Sequence, residues 1–195
     1  MPLDTPDSFR PWLAAVVPLS DDEWAAVAER LVPVRLEAGE TLAIEGEVRR
    51  WVGFVREGAL RYSVLRDGTD HVTAFDFEGD VAGDLSGFFD GAPASQTITA
   101  VEPSALDVLT HDAFAALVHQ VPSLAAVRGA VAGMLFDGAR ARAAELQQFS
   151  AEDRYRRLLA RSPRVVQRVP LYHVASYLGV TPEALSRIRR RVAGG

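Results

Sequence analysis

The chain has 195 residues, 48% of them hydrophobic, which is enough for one or two small domains with buried cores. It contains no cysteine, which excludes disulfides, thiolate catalysis and cysteine-held iron–sulfur clusters. The net charge of −5 is uneven, because residues 150–195 carry a net +7 and residues 1–149 a net −12. A basic end on an acidic body predicts that only this end meets a polyanion.

Nothing in the chain predicts secretion or membrane insertion. No apolar run approaches membrane-spanning length. The start of the chain, Met1 to Ser8, also lacks the basic and then apolar pattern of a signal peptide. We therefore expect a soluble cytoplasmic protein with no membrane partner.

The first 33 residues are predicted to form short helices. Ser20 and Glu23 have the spacing of a capping box. They open an amphipathic segment that contains Trp24 and Leu31 and that Pro33 is expected to end. No chemistry is indicated here, and the expected role is packing against the next domain.

Between Val34 and Leu109 the pattern changes to short apolar runs separated by glycine. Leu60, Tyr62 and Val64 alternate with polar residues, and Asp67-Gly68 is a hairpin signal. Many short strands at this spacing predict an antiparallel barrel or jelly roll. A jelly roll of the cupin type would need several metal-binding histidines, and this region contains only His71, so no such metal site is expected.

Two segments of this region, residues 36–46 and 53–61, resemble the β-roll of cyclic-nucleotide-binding domains. The resemblance implies an α+β fold class, in which residues 1–121 form an effector-sensing domain of flanking helices and an antiparallel β-roll. It also implies a phosphate-binding cassette made of Gly-Glu-Leu, a short helix and an Arg-Ser pair. In that cassette, backbone amides, a hydroxyl and a guanidinium hold the cyclic phosphate, and the Glu holds the ribose.

The matching run in this chain departs from the cassette at two positions. Gly83, Leu85 and Ser95 match, but Asp84 replaces the longer Glu, and Ala94 stands where the Arg belongs. A charge-assisted bond to phosphate, roughly twice as strong as a neutral one, is therefore missing. We predict a degenerate pocket that does not bind cyclic AMP. Another small-molecule effector, or none, remains open, and no cofactor is implied.

A long helix is predicted from Pro122 to Gln148. Apolar and small residues recur along it at alternating spacings of three and four, which predicts a coiled-coil-like dimer seam over residues 122–149. These residues are Leu124, Val127, Val131, Met134, Gly138 and Ala141. The alternative is packing on the chain's own β-roll, and the apolar face is wide enough for both. The two positions at which the dimer helix of cyclic-nucleotide-binding regulators touches the purine fall at Ala139 and Arg140. Neither is a small hydroxyl residue, which again argues against cyclic AMP. Arg140 could instead bind an anionic effector.

The basic end, residues 150–195, is predicted to begin with a helix capped by Ser150 and Asp153, followed by a loop over Arg161–Pro170. Two helical patterns then flank a tight break. The first has an apolar face of Leu171, Val174, Ala175 and Leu178, and it ends at Gly179. The second begins with Thr181 as N-cap and Pro182 at its first position.

The second of these helices has a basic outward face. Ala184, Leu185 and Ile188 are predicted to face inward, while Glu183, Ser186, Arg187, Arg190 and Arg191 face outward. That pattern is typical of a helix-turn-helix whose second helix enters the DNA major groove. The alternative is an ordinary pair of helices that ends in a solvated Arg cluster.

The segment Ala175 to Arg190 resembles the recognition segment of the CRP/FNR family of bacterial transcription regulators, in particular a short subgroup without the β-hairpin wing. The resemblance implies a dimeric, non-enzymatic regulator whose partners are double-stranded DNA and RNA polymerase. Glu183, Ser186 and Arg187 match the set of residues that reads an inverted repeat of TTGA-type half-sites. Thr181 and Pro182, at the start of the same helix, are also expected among the DNA-binding residues. Arg189, Arg190 and Arg191 are expected to bind DNA phosphates. Because the chain ends at Gly195, without a wing, we expect fewer phosphate contacts than in family members that have one. A ligand-binding or protein-interaction module without specific DNA binding is the rival interpretation.

Overall fold

The computed structural model describes residues 9–193, which divide into two units. The first comprises residues 9–60 and 76–133, and the second comprises residues 61–75 and 134–193. The features predicted for residues 1–8 and 194–195 lie outside the described residues.

Two short helices, α1 (Phe9–Val16) and α2 (Asp21–Ala28), precede the sheets. The predicted capping box is confirmed, because Ser20 Oγ accepts a hydrogen bond from Glu23 N at 3.2 Å and the Glu23 carboxylate accepts one from Ser20 N at 2.8 Å. The prediction that Pro33 ends this helix is wrong. The helix ends at Ala28, and Pro33 lies in the first strand, at the edge of its sheet, where a residue without an N–H is tolerated.

In residues 9–193, eight strands form two four-stranded antiparallel sheets, which confirms the predicted α+β class with an antiparallel roll. The strands are β1 (Val32–Leu36), β2 (Thr41–Ala43), β3 (Trp51–Glu57), β4 (Ala59–Arg66), β5 (Thr69–Phe77), β6 (Val81–Ala82), β7 (Thr97–Ala100) and β8 (Ser104–Thr110). The sheet orders are β1-β8-β3-β6 and β2-β7-β4-β5. Helix α3 (Leu85–Asp90) lies between β6 and β7, and α4 (His111–Gln120) follows β8.

The turn between β4 and β5 is the predicted hairpin turn. Asp67 and Gly68 both have positive φ, 50° and 74°, as a type I′ turn requires. The alternation predicted for β4 is only partly confirmed. Leu60 and Tyr62 are buried, but so is Ser63, whose hydroxyl accepts a hydrogen bond from Arg61 at 2.9 Å and is thereby satisfied.

The core of the first unit includes the beginning of the long helix. A 3-10 turn (Pro122–Ala126) leads into α5 (Val127–Gln148). Leu124, Val127 and Val131 are buried in one cluster with residues of α1, α2, β3 and α4. The prediction that these three residues belong to a dimer seam is therefore wrong, because their own chain already covers them.

Further along α5, in the second unit, the apolar side chains are exposed. Met134 is 53% exposed, and Leu135 and Phe136 are exposed as well. Such a run of uncovered apolar residues on one helix favours a contact with another molecule. The predicted seam is thus split between a buried start and an exposed continuation.

Four more helices complete the second unit: α6 (Ala151–Arg161), α7 (Pro163–Arg168), α8 (Leu171–Leu178) and α9 (Pro182–Ala193). The predicted cap of α6 is confirmed, since Ser150 Oγ accepts a hydrogen bond from Asp153 N at 3.2 Å. The prediction of a loop over Arg161–Pro170 is wrong. Pro163 occupies the first position of α7, where its missing N–H costs nothing, and Val165 is buried. Among the described helices, none combines the length and the apolar composition needed to span a membrane.

Candidate functional site

Helices α8 and α9 form the predicted helix-turn-helix. Gly179 ends α8 with φ 68° and ψ 36°, a left-handed conformation that glycine adopts without strain. Thr181 then caps α9, because its hydroxyl accepts a hydrogen bond from Ala184 N at 3.2 Å. The local geometry of the turn therefore follows the sequence-based prediction at both of its defining residues.

The two helices pack through their apolar faces. Val174, Ala175 and Leu178 of α8 are buried, as are Leu185 and Ile188 of α9. The prediction that Leu171 belongs to this face is wrong, because it is the first residue of α8 and is 36% exposed. The buried pattern leaves the outer face of α9 free to meet a ligand.

That outer face carries the predicted base-reading residues. Glu183, Ser186, Arg187 and Arg190 are exposed, and Arg189 is half-buried. Glu183 lies three and four residues before Ser186 and Arg187, so the three side chains share one side of the helix. Pro182 and Thr181 are exposed at the N-terminal end of the same helix.

Glu183 is held in its ionised form. Its pKa is lowered by a hydrogen bond from its own backbone N–H, by a hydrogen bond from the Thr181 hydroxyl, and by the nearby charge of Arg187. A carboxylate that stays ionised at neutral pH acts only as an acceptor. This end of α9 therefore presents an acceptor and a guanidinium side by side.

Arg191 has a partner within the chain. Its Nε lies 2.8 Å from Glu152 Oε2, and Arg156 Nη2 lies 3.1 Å from the other oxygen of the same carboxylate. The two guanidinium groups, Arg191 first, lower the pKa of Glu152. This ion pair connects α9 to α6, a role that the sequence does not indicate because the partners are 39 residues apart.

The beginning of strand β5 contacts α8 within the second unit. Ser176 Oγ accepts a hydrogen bond from Val72 N at 2.9 Å and donates one to Asp70 O at 3.3 Å. Burial, and then the charge of Arg61, lower the pKa of His173 to about 4, so this imidazole is neutral at pH 7. No sequence signal indicated these contacts, whose partners are more than 100 residues apart.

The cassette residues lie in the first unit, and Asp84 is hydrogen-bonded to Ser95 and to the first turn of α3. Asp84 Oδ1 accepts a hydrogen bond from Gly87 N at 2.7 Å, and Oδ2 accepts two from Ser95, N and Oγ, each at 2.7 Å. Asp84 is thus the N-cap of α3 as well as the partner of Ser95. The serine hydroxyl that the resemblance assigns to a ligand phosphate is therefore bonded to this carboxylate.

The neighbours of Asp84 leave little space. Gly83 has φ 149°, and a Cβ at this position would lie 3.1 Å from Trp51 O and 3.2 Å from the Cα of Val52. Ala94 is 3% exposed, and its N–H donates to Glu47 O at 2.8 Å. A glycine is required at position 83, and an arginine at position 94 would have to leave the buried position that Ala94 holds.

The other predicted pocket residues, Leu85 and Arg140, lie in different units. Leu85 is the first residue of α3 and is half-buried. Arg140 lies on α5 in the second unit, where its Nη2 is 3.7 Å from Asp137 Oδ1 on the surface of the helix. Among residues 9–193, no group of three or more His, Asp or Glu residues is arranged to hold a metal ion.

Comparison with known proteins gives the same architecture. Residues 33–121 match the family of the cyclic nucleotide-binding domain. FixK2 from Bradyrhizobium japonicum is 20% identical, with 84% of this chain and 85% of that chain covered at a TM-score of 0.75. The Thermus thermophilus catabolite activator protein is 20% identical, with coverages of 90% and 84% and a TM-score of 0.57.

A third solved structure is the c-di-GMP responsive global regulator CLP from Xanthomonas campestris. It is 15% identical, with 90% of this chain and 92% of that chain covered at a TM-score of 0.66. No curated protein matches the chain in sequence. At these identities the likeness establishes a shared fold.

Proposed function

We propose that this chain is a dimeric, sequence-specific DNA-binding regulator of the CRP/FNR type. Its residues 33–121 match the family of the cyclic nucleotide-binding domain, and its fold is shared with the solved structures above. One observation carries the proposal. Helix α9 buries Leu185 and Ile188 and exposes Glu183, Ser186 and Arg187 in its first two turns. This is the part of a recognition helix that reaches base edges.

The exposed residues divide into base-reading and phosphate-binding groups. Arg187 can donate two hydrogen bonds to O6 and N7 of one guanine, and Glu183 can accept from N4 of a cytosine. Ser186 lies between them, and this set suits a TTGA-type half-site. Arg189 and Arg190 follow one turn later and bind phosphates. Thr181 and Pro182 lie at the N-terminal end of the same helix, beside the DNA that this end approaches. We assign Arg191 instead to anchoring α9, because Glu152 holds its guanidinium.

The charge distribution supports a nucleic-acid partner at this end of the chain. Residues 150–195 hold ten Arg against three acidic residues, whereas the rest of the chain is acidic. Such a basic region raises the rate of encounter with DNA, and an acidic body limits binding to one orientation. As a transcription regulator, the protein would also have RNA polymerase as a partner.

Selection from a random double-stranded DNA library tests the proposal. We expect an inverted repeat whose half-sites are centred about 34 Å apart, one helical turn, because a two-fold dimer presents two copies of α9. The measured affinity should fall steeply between about 50 and 200 mM salt, as phosphate contacts release counterions. Recovery of no motif, together with an affinity that does not change with salt, would favour the rival interpretation of a protein-interaction module.

Cyclic AMP and cyclic GMP are expected to give no measurable heat in calorimetry with the full chain. Asp84 already accepts the hydrogen bonds of Ser95 and repels a phosphate, and Ala94 supplies no guanidinium. The same titration on Asp84→Asn, which removes the charge and keeps the side-chain shape, should also give no heat because the guanidinium is still missing. Micromolar binding by the wild-type chain would contradict the degenerate pocket, and binding by Asp84→Asn alone would assign the block to Asp84.

A further inference from the structure

The second unit contains a cleft of about 810 Å³ that the proposed function does not use. It is lined by residues of α5, α6, α7 and α8 and by Phe75 of β5. Its volume lies within the range of about 300–1,000 Å³ that small-molecule sites occupy. Gly138, Ala141 and Ala144 line it from α5, and the space stays open because these residues carry at most a methyl group.

The lining carries an excess of positive charge. Arg142, Arg157 and Arg161 contribute three guanidinium groups, and among the described lining residues Glu145 contributes the single carboxylate. Glu145 is 8% exposed, and its oxygens lie 3.2 Å from Arg142 Nη1 and 3.8 Å from Arg161 Nη1. Two positive charges remain after this carboxylate is counted, so the cleft favours an anion.

Arg157 is the guanidinium with the most capacity for a ligand. It lies over the ring of Phe149, 3.6 Å from the ring centroid, and has no ion pair or hydrogen bond with the described residues. Stacking fixes the plane of a guanidinium and leaves its N–H groups directed outward from the ring edge. A carboxylate, sulfonate or phosphate could accept two of them at once.

Two more aromatic rings, besides that of Phe149, line the cleft. The rings of Phe75 and Tyr177 are 5.5 Å apart, and Arg142 lies over the Tyr177 ring at 4.1 Å. Leu158 and Val165, both buried, complete the apolar part of the lining. These surfaces suit a flat apolar ring system. The guanidinium groups of Arg157 and Arg161 line the same cleft and could bind an anionic group on that ring system.

We propose that this cleft binds a planar organic anion, with its ring system against Phe75 and Tyr177 and its anionic group at Arg157 and Arg161. Tyr177 belongs to α8, and its backbone oxygen accepts a hydrogen bond from Arg142 of α5 at 2.5 Å. Because Gly138, Ala141 and Ala144 of α5 line the same cleft as Tyr177, an occupant contacts the helix-turn-helix and the long helix at the same time. The proposal stands without DNA binding, because it concerns only the lining of the cleft.

Fluorescence titration of the full chain with 8-anilinonaphthalene-1-sulfonate tests the cleft. We expect saturable binding at one site per chain, and binding at least tenfold weaker for N-phenyl-1-naphthylamine, which has the same rings without the sulfonate. Arg157→Gln should weaken binding of the sulfonate at least tenfold, because it removes the charge that holds the anionic group. Arg156→Gln is the matched control, since this neighbour on α6 pairs with Glu152 outside the cleft.

A second variant tests whether binding needs the space of the cleft, independently of its charge. Ala141→Trp fills the cleft without changing its charge and should also abolish binding, with folding checked by circular dichroism and thermal unfolding. Equal affinities for the two probes, unchanged binding by Arg157→Gln, or equal losses in Arg156→Gln and Arg157→Gln would overturn the proposal. No DNA is present in this titration, so its failure is distinct from failure of the proposed regulator.

Discussion

Met134→Glu is expected to turn the proposed dimer into a folded monomer, whereas Val131→Glu is expected to prevent the first unit from folding. The two residues are three positions apart on α5, but Val131 is 4% exposed and Met134 is 53% exposed. An unpaired carboxylate at Val131 would lie in the cluster that contains Phe88 and Leu117. Burying a charge in this way is among the few changes that cost more than about 4 kcal/mol, close to the whole stability of a small domain.

At Met134 the same substitution costs the isolated chain little, since the side chain is already in contact with solvent. In a two-fold dimer, however, the two new carboxylates would face one another in an apolar contact. Sedimentation equilibrium and thermal unfolding together distinguish the two outcomes. Gln147→Glu is the control, because it adds the same charge at an exposed polar position of α5. A Met134→Glu dimer of unchanged affinity would place the interface elsewhere, and a stable Val131→Glu protein would contradict the core assignment.

Arg187→Ala is expected to weaken binding to the selected DNA site by about 1–3 kcal/mol, roughly five- to 150-fold, and to relax the preference for guanine at one position in each half-site. The loss follows from the two parallel hydrogen bonds that a guanidinium makes to guanine, which alanine cannot replace. Glu183, held in its ionised form beside Arg187, should keep its own preference in this variant.

Arg190→Ala is the matched comparison on the same helix. A phosphate contact carries no sequence information, so this variant should weaken binding to all DNA sequences alike. It should also reduce the slope of log affinity against log salt concentration by about one. Library selection with the wild type and both variants, combined with affinities at several salt concentrations, separates the two roles. If Arg187→Ala recovered the wild-type motif, its assignment to a base would be wrong. A changed motif in Arg190→Ala would contradict its assignment to a phosphate.

The features that the sequence predicted best are those made by residues close to one another in the chain. Ser20 with Glu23, Ser150 with Asp153, and Thr181 with Ala184 all form the expected caps. Asp67-Gly68 and Gly179 adopt the positive φ values that their turns require. Each of these features depends on bonds that span three or four residues, or on the backbone freedom of a single residue, so neighbouring letters are sufficient to indicate it.

The incorrect predictions arose where one local signal suits two structures. Pro33 can end a helix or occupy an edge strand, and Pro163 can belong to a loop or begin a helix. Only the pairing of β1 with β8 and the burial of Val165 decide between them. The periodicity of α5 likewise indicates an apolar face and leaves open whether the same chain or a partner covers it.

Composition, periodicity and turn chemistry by themselves indicated an antiparallel roll, a long helix after it and the helix-turn-helix with its outward residues, and the family resemblance added the α+β class. Only the tertiary structure decided that Asp84 is hydrogen-bonded to Ser95 and that Arg191 forms an ion pair with Glu152. It alone also decided that Val131 is buried and Met134 exposed, and that aromatic rings and arginines line one cleft. The physical reason is separation along the chain. Contacts between distant residues form only after many segments have packed together, and the letters around each residue carry no record of its eventual partner.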